Sequence, residues 1–188
     1  SQITAVGDAI SSQAIAPDGS VWVTVRGSTG EGSFVLSRDQ AGTVQKYAVN
    51  AQKDSVNSAT VADGRVWFTQ YTNAALKALT PGSGQVQAYP VAEKAESLVR
   101  GSDGNLYYAS VYARPAIVQV DPGSGQTRSF NVGEANSTIP MSLTASPDGC
   151  LWFIQSPQGG VWQLNPATGT QTPLALPLNV SPNALAVS

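Results

Sequence analysis

The repeating unit of this chain is clearest in Ser146-Pro147-Asp148-Gly149-Cys150-Leu151-Trp152-Phe153. Related stretches occur three more times, and in each of them an aromatic residue follows the glycine of an Asp-Gly pair by three positions. The aspartates stand at positions 18, 63, 103 and 148, which gives spacings of 45, 40 and 45 residues. A period in this range is typical of proteins built from repeated supersecondary units.

A second recurring turn follows each Asp-Gly pair. The four turns are Asp39-Gln40-Ala41-Gly42, Pro81-Gly82-Ser83-Gly84, Pro122-Gly123-Ser124-Gly125 and Pro166-Ala167-Thr168-Gly169. Proline presets the first corner of such a turn, and glycine accepts the positive φ at its end. Short runs of alternating apolar and polar residues flank all four turns, so each repeat is predicted to hold four β-strands.

These repeats predict an all-β fold, a β-propeller built of four-stranded antiparallel blades. The four predicted blades span residues 13–49, 59–91, 97–132 and 142–176. The aromatic residues that we expect to pack between neighbouring blades are Trp22, Trp67, Tyr107 and Trp152. We interpret the four repeated aspartates as turn residues that hydrogen-bond their own backbone, and not as a metal cluster.

The two ends of the chain also carry a signal. The 188 residues are predicted to form a single propeller domain or part of one. Residues 2–6 resemble a fourth strand and residues 184–187 resemble a first strand, so unpaired terminal strands are expected. Three interpretations stay open: a small closed ring with extra edge strands, a fragment of a larger ring, and a half-ring that pairs with another chain. Open strand edges favour association, either as a homo-oligomer or with a partner chain that completes the ring.

Composition narrows the classes of function. Charged residues make up 12% of the chain, and the formal net charge is -2. The basic residues are scattered and give no phosphate-binding footprint, so no nucleic-acid partner is expected. The chain has no histidine, and its single cysteine, Cys150, is interpreted as a packed strand residue. No apolar run approaches the ~18 residues of a membrane span. The low-charge surface favours an extracytoplasmic or secreted setting.

The repeat Pro-Asp-Gly-x-Leu-Trp-Phe, followed by a strand that ends in Asn/Asp-Pro-x-Thr/Ser-Gly, resembles that of the virginiamycin B lyase-like propellers. The best match joins the stretch 146–153 to Leu164-Asn165-Pro166-Ala167-Thr168-Gly169. The second and third blades match nearly as well, and the first is degenerate at Ser37-Arg38-Asp39-Gln40-Ala41-Gly42. The resemblance covers residues 13–187 and implies the fold, whereas function is set by the site and not by the repeat.

The same resemblance bears on activity. Lyases of this family are seven-bladed and open a cyclic peptide lactone with a catalytic histidine and a magnesium ion held partly by glutamate. This chain has four predicted blades and no histidine. The family repeat often ends its aromatic strand with glutamate, and the matching positions here are Val25, Gln70, Ser110 and Gln155. No catalytic residue is therefore assigned, and the chain is not expected to be an enzyme of that type.

The functional groups are predicted to lie at one end of the blades. The connections between second and third strands, and between blades, are long and polar there, whereas the other end has only tight turns. Binding groups tend to lie on such loops over a rigid scaffold. The candidate ligand-binding residues are Arg26, Glu31, Gln70, Tyr71, Asn73, Tyr112, Arg114, Gln155 and Gln158. Their rings, hydroxyls and amides would suit a saccharide or a polar peptide. Glu93 and Glu96 are interpreted as solvated loop residues.

Three hypotheses of function follow. The first is a non-enzymatic binding or assembly module that presents its loop-rich end to a saccharide, peptide or protein partner and uses no cofactor. The second is a lyase- or lactonase-like enzyme at the same end, where Glu31 or backbone carbonyls would hold magnesium or calcium. The third is a structural component of a virion or a surface layer.

Overall fold

The computed structural model of the chain describes residues 9–26, 32–49, 56–70, 74–91, 94–111, 114–133, 139–157, 159–177, 182 and 184–186. These residues form sixteen β-strands, and none of them lies in a helix that could cross a membrane. The chain divides into two compact units, Ser1–Lys94 and Ala95–Ser188, and each unit holds two four-stranded sheets.

The first unit contains eight strands. The strands of its first sheet are β1 (Ala9–Ile15), β2 (Val21–Arg26), β3 (Phe34–Arg38) and β4 (Val44–Ala48). Those of its second sheet are β5 (Val56–Ala62), β6 (Arg65–Gln70), β7 (Ala75–Leu79) and β8 (Val86–Pro90). In both sheets each strand pairs antiparallel with the next one along the chain.

The second unit repeats this arrangement. The strands of the third sheet are β9 (Ala95–Arg100), β10 (Leu106–Ser110), β11 (Ala116–Val120) and β12 (Thr127–Asn131). Those of the fourth sheet are β13 (Ile139–Ala145), β14 (Leu151–Ser156), β15 (Gly160–Leu164) and β16 (Gln171–Leu174). Four up-and-down antiparallel sheets confirm the predicted all-β class and its four four-stranded blades.

The first strand of every sheet begins two to four residues earlier than the alternation predicts. The observed starts are Ala9, Val56, Ala95 and Ile139, against predicted starts at 13, 59, 97 and 142. Each of these strands carries a register shift against its neighbour. A β-bulge of this kind inserts an extra residue and interrupts the period of two, so alternation alone misses the N-terminal part of the strand.

The predicted terminal strands have a different outcome. Residues 2–6 lie outside the described residues, as does Val187. Residues 184–186 take part in no strand ladder, and the bounds predicted for the terminal strands stay a prediction. A strand exists only where its backbone groups pair in a ladder, and an apolar pattern does not supply that partner.

The core of each unit lies between its two sheets. In the first unit, Trp22 and Val35 of the first sheet pack with Val66 and Phe68 of the second. In the second unit, Tyr107 joins residues of the fourth sheet that include Phe153. The prediction that strand-two aromatics pack between blades is confirmed for Trp22 and Tyr107.

Three of the four Asp-Gly turns share one geometry. In the turn before β14, the amide of Gly149 donates to the carbonyl of Ser146, and the amide of Cys150 donates to Oδ1 of Asp148. Gly149 has a φ of 89°, which glycine accepts without steric cost. Asp18 and Asp103 accept the corresponding backbone bonds, so their role as turn residues is confirmed. Cys150 ends this turn and does not lie on the strand.

The second sheet uses a tighter turn. Asp63 and Gly64 have φ angles of 50° and 68°, and Ala62 pairs directly with Arg65. Positive φ at both central residues defines a two-residue type I′ hairpin. The Asp-Gly signal therefore predicts a hairpin at all four places but does not distinguish its two types.

The third sheet adds a polar network to its turn. The Tyr107 hydroxyl donates to Oδ2 of Asp103 over 2.7 Å, and Nε2 of Gln119 donates to the Tyr107 oxygen over 2.9 Å. Burial acts to raise the pKa of Asp103, but bonds from Asn105 and Tyr107 outweigh it and hold that pKa below its usual value. Burial, and then the bond to Asp103, raise the pKa of Tyr107 well above that of a free phenol.

Gly101 makes this network sterically feasible. A Cβ atom at Gly101 would lie 2.6 Å from both Oδ1 of Asp103 and Cε2 of Tyr107. We predict that Gly101→Ala lowers the free energy of unfolding by about 1–3 kcal/mol, because ring and turn must both shift. Urea denaturation followed by tryptophan fluorescence measures the loss. Ser102→Ala, an exposed change in the same turn, is the control, and equal stabilities of the two variants would contradict the steric argument.

Candidate functional site

The loop-rich end is the end of each sheet that carries the connection between its second and third strands and the connection to the next sheet. Of the nine predicted site residues, the structure describes four: Arg26, Gln70, Arg114 and Gln155. The other five lie outside the described residues: Glu31, Tyr71, Asn73, Tyr112 and Gln158. Arg26 and Gln70 belong to the first unit, and Arg114 and Gln155 belong to the second.

The two arginines lie at the surface. Arg26 is the last residue of β2 and is exposed. Arg114 is also exposed, and its backbone carbonyl accepts a hydrogen bond from Oγ of Ser110 over 3.4 Å. Both guanidinium groups are therefore positioned by strand ends and accessible to a solute at the loop-rich end.

Gln155 ties two sheets together. It lies in β14 and its Nε2 donates to the backbone carbonyl of Val132, which follows the last strand of the third sheet. Val132 is itself buried in the core between the two sheets. This bond satisfies a carbonyl that would otherwise lose its partner, so Gln155 supports the packing of the sheets in addition to lining their end.

Gln70 occupies the same position in β6, but its surroundings differ. Its side chain is fully buried, and neither Nε2 nor Oε1 has a hydrogen-bond partner among the residues that the structure describes. An amide taken out of water without replacement bonds costs about 1–3 kcal/mol. Natural proteins pair almost all of their buried polar atoms, so an unpaired one in a native fold needs an explanation. A bound group that pairs with the amide, or a change of conformation that exposes it, would provide one.

This contrast gives a matched pair of variants. We predict that Gln70→Leu raises the free energy of unfolding by about 1 kcal/mol or more, because it removes an unpaired buried amide. Gln155→Leu should lower it by about 1–3 kcal/mol, because the Val132 carbonyl loses its donor. Guanidinium denaturation of both variants and the parent tests the pair. Equal losses in both variants would show that the Gln70 amide is paired in solution.

A cavity of about 350 Å³ opens at the loop-rich end of the second unit. Its lining residues are Glu96, Ser97, Val111, Ile139, Met141 and Ser142. They come from the beginnings of β9 and β13, which are the first (inner) strands of the third and fourth sheets, and from the residue that follows β10. All of these positions lie at the loop-rich end, so this cavity opens where the site was predicted, although none of its described lining residues was among the nine.

The cavity combines apolar surface with one carboxylate. Ile139 and Met141 are 37% and 38% exposed, which is unusual for large apolar side chains on an inner strand. Ser142 has a φ of 51° and lies in the β-bulge of β13, which turns the backbone at the cavity wall. Glu96 lies in β9 and is half-buried, so the interpretation of it as a solvated loop residue is wrong.

The residues that line this cavity carry a signal in the sequence. The fourth predicted blade begins at residue 142, yet Ile139 and Met141 alternate with Leu143 as strand residues do. Pro140 lies between them, and proline is tolerated where a strand begins or bulges. The apolar alternation was the available signal.

The described residues do not fit the magnesium site that the family implies. They contain no group of three or more histidine, cysteine, aspartate or glutamate side chains that could hold a metal ion. The positions that match the family's glutamate are occupied by Val25, Gln70, Ser110 and Gln155, none of which is a carboxylate. The chain also has no histidine.

The repeated up-and-down sheets with tight turns at one end and longer connections at the other define a β-propeller type of repeat protein. The chain belongs to the virginiamycin B lyase family, whose family model matches residues 2–185. No curated protein matches the chain.

Three solved structures show how widely this fold is used. A catalytically inactive histidine-to-alanine variant of virginiamycin B lyase from Staphylococcus aureus, solved with quinupristin, is 16% identical with a TM-score of 0.73; the match covers 98% of this chain and 77% of that one. Hydrazine synthase from Kuenenia stuttgartiensis is 18% identical with a TM-score of 0.72, covering 93% and 51%. A chain of a nidogen–laminin complex is 16% identical with a TM-score of 0.67, covering 88% and 64%. At these identities the likeness concerns the fold alone.

Proposed function

We propose that this protein is a non-enzymatic binding module that holds a peptide segment of a partner at its loop-rich end. The observation that supports the proposal most directly is the cavity lined by Ile139, Met141 and Glu96. Exposed apolar side chains in a concave site are typical of binding surfaces, because they gain from leaving water when a ligand covers them.

The chemistry of the cavity favours a peptide over a saccharide. Its described lining residues include no aromatic ring on which a sugar could stack. Ile139 and Met141 offer aliphatic and thioether surface, and methionine adapts to ligands of different shape. Glu96 supplies a negative charge, which favours a ligand that carries a basic group beside its apolar side chain.

Lyase activity has less support. Replacement of a histidine inactivates the Staphylococcus aureus lyase variant, and this chain has no histidine at all. A fold of this kind serves several functions, and it is the site that decides among them. We also propose that the protein works without a metal or other cofactor, and in an extracytoplasmic setting.

Selection from a phage-displayed peptide library on the immobilised full chain tests the peptide proposal. We expect enriched peptides to share apolar residues next to a basic one. Met141→Asp should weaken their binding about tenfold or more in titration calorimetry, because a carboxylate would replace apolar contact surface.

Leu174→Asp is the matched control, since Leu174 is 46% exposed but lies on the outer strand β16 of the same sheet. Peptides that bind both variants equally would contradict the proposal. A linear product from quinupristin in the presence of magnesium would replace it with the enzyme hypothesis, and binding of simple sugars abolished by Met141→Asp would replace the peptide with a saccharide.

A second proposed function is assembly, and the first sheet carries its support. Ile10 and Ile15 of β1 are 66% and 73% exposed. They pair with Val25 and Val21, so they share the face of the sheet that holds the cluster of Val25, Phe34 and Leu36. Two exposed aliphatic side chains beside an apolar cluster favour pairing with a second copy or with a partner chain.

The mass of the protein in solution tests assembly. We predict a mass above the 19.4 kDa of one chain at micromolar concentration, measured by size exclusion with light scattering. Ile15→Asp should return the mass to that of one chain, because a charge would enter the buried interface. Leu174→Asp is again the control. A strict monomer at all concentrations would contradict both assembly and the virion or surface-layer hypothesis.

A further inference from the structure

A second cavity lies in the first unit, at the end of its sheets that carries the tight turns. This cavity measures about 160 Å³. Its walls include the rings of Trp22 and Tyr47, the side chains of Asp39 and Gln45, and Pro81 from the turn of the neighbouring sheet. The two rings lie 5.7 Å apart between centroids, and the Tyr47 hydroxyl is hydrogen-bonded to Oε1 of Gln45.

The second unit shows what fills the corresponding space there. The guanidinium carbon of Arg128 lies 4.6 Å from the centroid of the Phe130 ring. Nη1 of the same residue donates to the carbonyl of Pro166 in the turn of the neighbouring sheet over 3.1 Å. A cation over an aromatic face gains from the ring quadrupole, and the carbonyl fixes its orientation.

Strand register aligns the two places residue by residue. In the first sheet, Gln45 pairs with Ser37, and Ser37 pairs with Trp22. In the third sheet, Arg128 pairs with Gln119, and Gln119 pairs with Tyr107. Tyr47 then corresponds to Phe130. Their distances to the turn glycine also agree: a Cβ at Gly84 would lie 3.7 Å from Tyr47, and one at Gly169 would lie 3.9 Å from Phe130. Gln45 therefore stands where the second unit has its arginine.

The second sheet also places an arginine against its aromatic pair, Trp67 and Tyr89, but this arginine comes from a different strand position. Arg65 lies 4.6 Å from the Trp67 ring centroid, and its Nη1 donates to the hydroxyl of Tyr89 over 2.9 Å. The corresponding residue in the first sheet is Ser20. Two sheets thus place their own guanidinium over the aromatic side chains, and the first sheet has a cavity instead.

We propose that this cavity binds the guanidinium group of an arginine side chain from a partner peptide or protein. The ring of Tyr47 would take the place of Phe130, and the carbonyl of Pro81 that of Pro166. The carboxylate of Asp39, which also accepts the amide of Thr43 over 2.7 Å, adds the charge that an external cation needs. The site is built from residues of the first unit and the proposed peptide cavity from residues of the second, so the two share no residue and can be tested separately.

Titration of the full chain with Nα-acetyl-arginine methylamide tests the proposal. The readout is the indole Nε1 signal of Trp22 in a two-dimensional NMR spectrum, assigned with Trp22→Phe. The citrulline analogue has almost the same shape but no charge. We expect it to bind at least about tenfold more weakly, because it can form neither the cation–π interaction with the ring nor the ion pair with the carboxylate. Equal binding of both probes, or no shift of the signal, overturns the proposal.

Two variants separate binding from folding. Asp39→Asn should weaken arginine binding about fivefold or more while the turn persists, because Asn165 accepts backbone amides in the corresponding turn of the fourth sheet. Gln45→Arg should abolish binding without loss of thermal stability, since its own guanidinium would fill the cavity. Gln87→Arg at the matching position of the second sheet is the control. Undiminished binding to Gln45→Arg overturns the proposal even if Asp39→Asn behaves as expected.

Discussion

The structure depends on the turn between the first and second strands of each sheet. A glycine with positive φ closes this turn in all four sheets, and in three of them an aspartate carboxylate accepts a hydrogen bond from the backbone amide two residues further on. The turn fixes the register of the first two strands, and side chains alternate between the two faces with a period of two. A slip of one residue would turn Trp22 or Tyr107 away from the core between the sheets. The packing of one sheet on the next is therefore a consequence of a local turn.

Local chemistry of this kind is what a single sequence reveals well. The Asp-Gly and Pro-x-x-Gly turns have local causes, so the number of sheets, their strand order and the packing of Trp22 and Tyr107 were predictable. The early starts of the inner strands were not, because a β-bulge breaks the alternation and depends on the neighbouring strand. The burial of Gln70 could not be predicted from the sequence either. Gln70 and Gln155 occupy equivalent positions in their strands, and the neighbouring sheet decides which of the two amides can hydrogen-bond a backbone carbonyl.

The candidate site follows the same division. The larger cavity opens at the loop-rich end, where the longer connections led us to expect a site, and the smaller cavity opens at the end with the tight turns. Sequence patterns did not predict the residues of the larger cavity, since Glu96, Ile139 and Met141 meet only when two inner strands are placed side by side. Residues distant in sequence converge through tertiary packing, and a pattern within one strand carries no information on its neighbour.

Repetition itself supplies the remaining evidence, because each position has counterparts under the same packing constraint. Where a residue serves the fold alone, its counterparts should solve the same problem in the same way, as three of the four turn aspartates do. Gln70 without a partner and Gln45 in place of an arginine are departures from that rule. Each leaves a buried amide or a space that the other sheets satisfy from within the chain. A group from outside the chain that paired with the Gln70 amide, or that filled the space beside Gln45, would supply what the other sheets supply from within.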